Sequence, residues 1–329
     1  MTRLWDKGTP LDQRVLEYTA GEDHALDARL VEYDVLASIA HAEALHAAKH
    51  LSPSDLRLIR DALTEIGAAS TWSLRERPRC NRPPASPMRA VLRLYLRDAV
   101  QSLAASTEGV ADALDDLAGR ESKTALPGYT HMQPAMPSSV ALWAGGFAAE
   151  LRDDAEGLAQ SRRRIDKNPL GSAAGYGTPN LAISRETTRS ALGFATTQEP
   201  VTAVQLSRGK AEAQVLFEIC LLMQDLGRLA ADLLLFYTQE FAFVALPDEF
   251  TTGSSIMPQK RNPDVFELIR GRSATAQACL LEALAVTAKL PSGYHRDLQL
   301  LKAPLFRGID ICQQTLALLP AALAGVRFR

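Results

Sequence analysis

Apolar residues recur at a three/four spacing along most of this chain, the period of a helix with one buried stripe. From Asp27 to His50 they fall at Leu30, Val35, Leu36, Ile39, Ala40 and Leu45. Ser52-Pro53-Ser54-Asp55 then supplies a helix cap with proline in the first turn, and Leu56, Ile59, Leu63 and Ile66 follow. The same spacing predicts a third helix over Val91–Leu117, a fourth over 136–165, a fifth over Ala203–Phe243, a sixth over 263–288 and a seventh over 304–326. The fifth holds no proline and would extend roughly 55–60 Å at 1.5 Å per residue. Its middle, Val215 to Leu226, is apolar around most of its circumference, so other helices should surround it. No run of alternating β-branched residues flanked by hairpin turns stands out. The expected fold is all-α, a bundle of long helices over 89–329 preceded by a small N-terminal helical domain over 1–88.

Three stretches interrupt the period. Residues 71–88 carry four arginines among several prolines, a composition that cannot pack as a regular element. Ile165 to Asn180 is rich in glycine, and Leu246 to Pro263 is a polar connection longer than two strong helices need. The charges nearly cancel, 36 Lys+Arg against 38 Asp+Glu, which argues against a nucleic-acid or polybasic membrane partner. Four cysteines stand singly at 80, 220, 279 and 312, and the N-terminus has no apolar signal core. These features point to reduced thiols in a cytoplasmic globular protein. His41, His46 and His50 lack cysteine or carboxylate companions at metal-binding spacing, so no metal is expected.

The long connection holds the densest chemistry, Thr251-Thr-Gly-Ser-Ser-Ile-Met-Pro-Gln-Lys-Arg-Asn-Pro-Asp264. Hydroxyl residues beside a glycine can present backbone N–H groups to an anion. Lys260 adds a positive charge and Asn262 a two-way amide, and a helix then opens at Pro263-Asp264. With no phosphate-loop spacing, this set suits a carboxylate better than a nucleotide.

That segment resembles the signature of the fumarase/aspartase/argininosuccinate lyase superfamily. Within it the chain is most similar to the argininosuccinate lyase family. The likeness includes Leu4-Trp-Asp-Lys-Gly8, Leu26 to His41, Leu92 to Asp98, Pro127-Gly-Tyr-Thr-His-Met-Gln133, Pro169-Leu-Gly-Ser172 and Tyr294-His-Arg-Asp-Leu-Gln299 through Lys302. The resemblance implies a homotetramer that splits argininosuccinate into arginine and fumarate without a cofactor. It implies Ser254 as the base, Lys260 as a charge on the carboxylates, and His131 paired with Glu267 for proton transfer to the leaving nitrogen. Substrate-binding positions would be Thr130, Asn262, Tyr294, Gln299, Lys302 and Asp27.

Two departures accompany the likeness. The family's Thr-Gly-Arg-Ser-Arg-Asn-Asp-Gln loop is replaced at its expected place by Asn81-Arg-Pro-Pro-Ala-Ser-Pro-Met88. The family's small C-terminal helical domain is also expected to be missing beyond Ala321–Arg329. A lyase with impaired turnover is therefore expected. The other readings are a helical scaffold that only self-associates, and another superfamily lyase such as adenylosuccinate lyase. Taken alone, Arg208 reads as a solvated helix charge, Lys302 as a snorkelling surface lysine and Glu267 as a solvated helix glutamate.

Overall fold

A computed structural model describes residues 12–68, 87–257 and 259–329. Leu4–Gly8 and most of the Arg/Pro-rich stretch, including its replaced loop up to 86, lie outside them. Seven long helices carry the fold: α1 (Val31–Ala47), α2 (Pro53–Ala68), α3 (Pro87–Arg120), α4 (Val140–Ile165), α5 (Lys210–Tyr237), α6 (Asp264–Thr287) and α7 (Lys302–Gly325). One compact unit comprises residues 1–92 with 168–204, the other 93–167 with 205–329. In the first, α1 packs against α2 and against the short helix Arg185–Ala191.

The second unit is the long-helix bundle. α5 lies against α4, α6 and α7. Leu216, Ile219, Leu222, Leu226 and Leu233 are fully buried along it, and Leu103, Leu117, Leu151, Leu158, Ile309 and Leu319 meet the same core. Each such side chain contributes about 2 kcal/mol of burial. The core is not wholly apolar. Asp154 on α4 is 9% exposed, and its Oδ2 has no hydrogen-bond partner among the described residues. Burial, with the charges of Asp225, Asp153, Glu150 and Glu218, pushes this carboxyl up to about 7. Cys220, Cys279 and Cys312 are buried free thiols. Among the described residues no helix is long and apolar enough to cross a membrane.

In two helices the departure from the expected bounds has a clear physical cause. The fourth begins at Val140, not 136, because Pro134 and Pro137 belong to an antiparallel hairpin, β1 (Ala125–Thr130) with β2 (Gln133–Ser139). Proline cannot donate within a helix and holds its predecessor extended. Ser139 then caps α4, its Oγ accepting from the Leu142 N–H at 3.1 Å. The fifth helix is 28 residues long, about 42 Å, and does not run unbroken from 203 to 243. Gly209 stands before it at φ +82°, and a Cβ there would run into the Thr287 methyl. Only glycine fits that turn. At the other end the helix stops at Tyr237, and residues 244–245 pair instead with Arg327–Phe328.

Candidate active site

The connection between α5 and α6 is a small closed hairpin. Thr252 pairs with Asn262 and Gly253 with Arg261. Thr252 Oγ1 donates to Asp264, Arg261 Nε to Asp248 at 3.3 Å, and the Tyr237 hydroxyl to the Arg261 carbonyl at 3.4 Å. These bonds pin the base and leave residues 255–257, 259 and 260 of the tip to solvent. There the half-buried Ser254 Oγ accepts from the N–H groups of Ile256 at 3.3 Å and Met257 at 3.2 Å. Two backbone donors on one oxygen favour its deprotonated form. Arg261 is tied to Asp248, whereas the Lys260 ammonium is exposed and, among the described residues, makes no ion pair. Asn262 is half-buried, and Glu267 lies exposed in the first turn of α6.

Thr130 and His131 occupy the tip of the β1–β2 hairpin. Thr130 pairs with Gln133, leaving His131 and Met132 as a two-residue turn at φ +53° and +60°. Both turn positions are therefore left-handed, a geometry that Asn-Gly adopts readily and His-Met does not. Strain of this kind is held at functional positions more often than elsewhere. His131 and Met132 are both exposed.

Helix direction decides which of these groups share an end of the bundle. Arg120, closing α3, donates to the carbonyls of Leu323 and Val326 at the end of α7, each at 3.2 Å. Val244–Ala245 pairs with Arg327–Phe328 at the same place, and the Tyr129 ring lies 6.1 Å from that of Phe241. Trp143, at the start of α4, joins this aromatic cluster through Phe236 and Phe328 and donates to Asp232 at 2.9 Å. The histidine turn and the serine loop thus project from one end.

Tyr294, Gln299 and Lys302 lie at the other end. They follow α6, whose 24 residues place its two termini about 36 Å apart. Gln299 Oε1 accepts from Arg296 Nε at 3.3 Å, and half-buried Tyr294 faces the Arg208 guanidinium. Lys302 is 5% exposed and not a surface lysine, because it opens α7 where that helix enters the core. Arg208 is not solvated either. It lies in the turn before α5, and its Nε is buried. Asp27 is half-buried at the end of a short helix, Asp23–Asp27, in the first unit. Sequence reasoning passed over Arg93 and Glu212, both buried near Arg208, since a charge inside a helical repeat carries no mark of what covers it. Among the described residues no group of acidic, histidine or cysteine side chains is placed to hold a metal.

Comparisons with known proteins place this bundle, with its serine loop between two long helices, among the lyases of the long-helix type. A family model described as lyase matches residues 87–278. An EDDS lyase solved in complex with formate superposes with a TM-score of 0.78 at 22% identity, covering 97% of this chain and 68% of that one, which shows the fold. The argininosuccinate lyase of Sorangium cellulosum is 42% identical, over 99% of this chain and 81% of its own length. That of Xylella fastidiosa is 39% identical, over 99% and 79%. The chain belongs to the argininosuccinate lyase family. The alignment with the first relative spans 351 positions against a 329-residue chain, so that relative has positions with no counterpart here.

Proposed function

We propose that the chain eliminates fumarate from argininosuccinate, releasing arginine, at sites assembled from several copies of itself. The observation that carries this reading is the Ser254 oxygen under the N–H groups of Ile256 and Met257. A serine hydroxyl is a weak base. Two backbone donors and the nearby Lys260 charge favour the alkoxide, which takes the proton from the succinyl carbon beside a carboxylate. The electron pair moves into that carboxylate, which becomes doubly negative against Lys260 and Asn262. As the C–N bond breaks, His131, paired with Glu267, protonates the departing nitrogen. Thr130, Tyr294, Gln299, Lys302 and Asp27 bind the remainder of the substrate. No cofactor takes part, and a reaction on freely diffusing metabolites suits the cytoplasm.

Assembly follows from the separation of the two ends. One chain cannot bring Ser254 and Lys302 to one substrate across about 36 Å, but an antiparallel neighbour can. The exposed stripe of α5 supports a helical interface: Phe217, Leu221, Gln224 and Arg228 recur at the spacing of a coiled-coil seam, with Phe217 47% and Leu221 40% exposed. We assign a homotetramer. Substrate closes the 249–262 loop, and the replaced 81–88 segment lowers turnover because its substrate clamp is gone. Fumarate release followed by ultraviolet absorbance tests the reading. Formation of fumarate and arginine in equal amounts is expected, and no release from either the chain as it stands or a loop-restored variant would overturn it.

A further inference from the structure

We propose that Arg208 is a positioning residue, holding the Tyr294 side chain where it meets the substrate. The inference rests on the reading that Tyr294 contacts substrate, and its test separates the two.

The turn Ser207–Gly209 is fixed from several sides. Gly209 is confined by Thr287 at the end of α6. Arg93, on α3, reaches the same turn, donating to the Lys167 carbonyl at 2.7 Å and to Ser207 Oγ at 3.5 Å. Glu212, in the first turn of α5, is 8% exposed, and its charge acts on both Arg93 and Arg208. The Glu212 carboxylate thus acts electrostatically on two arginines beside this turn. Its carbon is 5.6 Å from the Tyr294 ring centroid. Burial draws the Arg208 pKa below its ordinary value, and Glu212 and the Tyr294 hydroxyl oppose that shift.

A guanidinium that is largely desolvated and keeps a buried Nε without a hydrogen-bond partner among the described residues is costly to hold. Besides the Glu212 charge, it meets the Tyr294 ring in the segment 291–295. That segment borders a small cleft open to solvent, lined by Gln205, Arg208, Leu290, Gly293 and His295, among others. A ring released from Arg208 therefore has space to move. Arginine presents a flat face and several fixed donors to a tyrosine, and a lysine reproduces the charge but not the plane.

The test uses substrate binding with the base removed, so that argininosuccinate stays intact. In a Ser254→Ala background, Arg208→Met should weaken argininosuccinate binding roughly tenfold by calorimetry. Arg208→Lys should recover part of that loss. Once Tyr294→Ala is present, Arg208→Met should cost nothing more, because the residues act as one unit. A crystal structure of Arg208→Met should show the Tyr294 ring displaced. An equal loss with and without the tyrosine, or a ring that stays in place, would overturn the proposal. If Arg208→Met does not fold, Arg208→Gln carries the same crystallographic and calorimetric expectations. A parent that ignores argininosuccinate would sink the functional reading alone, and the ring position would still decide the role of Arg208.

Discussion

The two ends of the long-helix bundle are built differently. At the end where α3 and α7 finish, Thr130, His131, Lys260 and Glu267 are exposed on a strained turn, a loop tip and a helix start. Among the described residues, none of these four side chains is hydrogen-bonded or ion-paired within the chain. At the end where α6 finishes, Lys302 is buried, Tyr294 and Gln299 are half-buried, and Arg93, Glu212 and Arg208 are packed beside them. The contrast suggests a division of labour. On the function proposed above, one end would hold its charges for the substrate and a second copy, and the other would select and orient.

The first way to break this comparison is to remove chemistry from the open end. Ser254→Ala should lower fumarate release by roughly 10²–10⁴-fold, the range for a lost general base, while the melting temperature barely moves. A melting temperature that falls steeply would show that the loop is part of the support. Next in size is the effect of the replaced segment. Installing Thr-Gly-Arg-Ser-Arg-Asn-Asp-Gln with its neighbours at 81–88 should raise turnover by roughly 10²–10³-fold, the usual worth of a lost electrostatic clamp. Unaltered turnover would mean that the clamp is supplied elsewhere. His131→Asn keeps a residue tolerant of the left-handed turn and removes the imidazolium. It should reduce turnover about 10²-fold with the fold intact, read by kinetics beside circular dichroism.

The smallest expected effect lies between the ends, at Asp154. Its folded pKa, about 7, stands above the ordinary carboxyl value of 3.8. The folded state therefore holds a proton that the unfolded chain has released, and stability falls as pH rises from about 4 to about 7. Above pH 7 the cost is present in full, and below pH 4 it vanishes. Asp154→Asn should raise the melting temperature by roughly 5 °C at pH 8 and by less at pH 5. Equal shifts at both values would assign the effect to packing.

Periodicity made the helices legible, because Leu, Ile and Ala at three/four spacing reflect a local geometry that tertiary contacts reinforce. It could not show the break at Gly209, whose left-handed turn is imposed by Thr287, nearly eighty residues away in sequence. The β1–β2 hairpin was missed because three prolines and a bulge at Gly128–Tyr129 erase the two-residue alternation of strands. The candidate site residues stand in motifs that the sequence displays. Their division between two ends is not displayed there, since it depends on which way each helix runs. Arg208 was misread for a related reason: Leu-Ser-Arg-Gly-Lys looks solvated until α3 and the 291–295 segment close over it.

Mixing two inactive variants tests the division of labour most directly. Ser254→Ala disables the open end and Lys302→Met the finished one, both made in the loop-restored background. The two proteins are unfolded and refolded together in equal amounts, and fumarate release is compared with the unmixed parent. Sites that take Ser254 from one copy and Lys302 from another should be intact in roughly a quarter of cases, so about a quarter of the parent activity should return. Sites confined to one chain would carry a defect in every copy, and a mixture as inactive as its components would contradict the account.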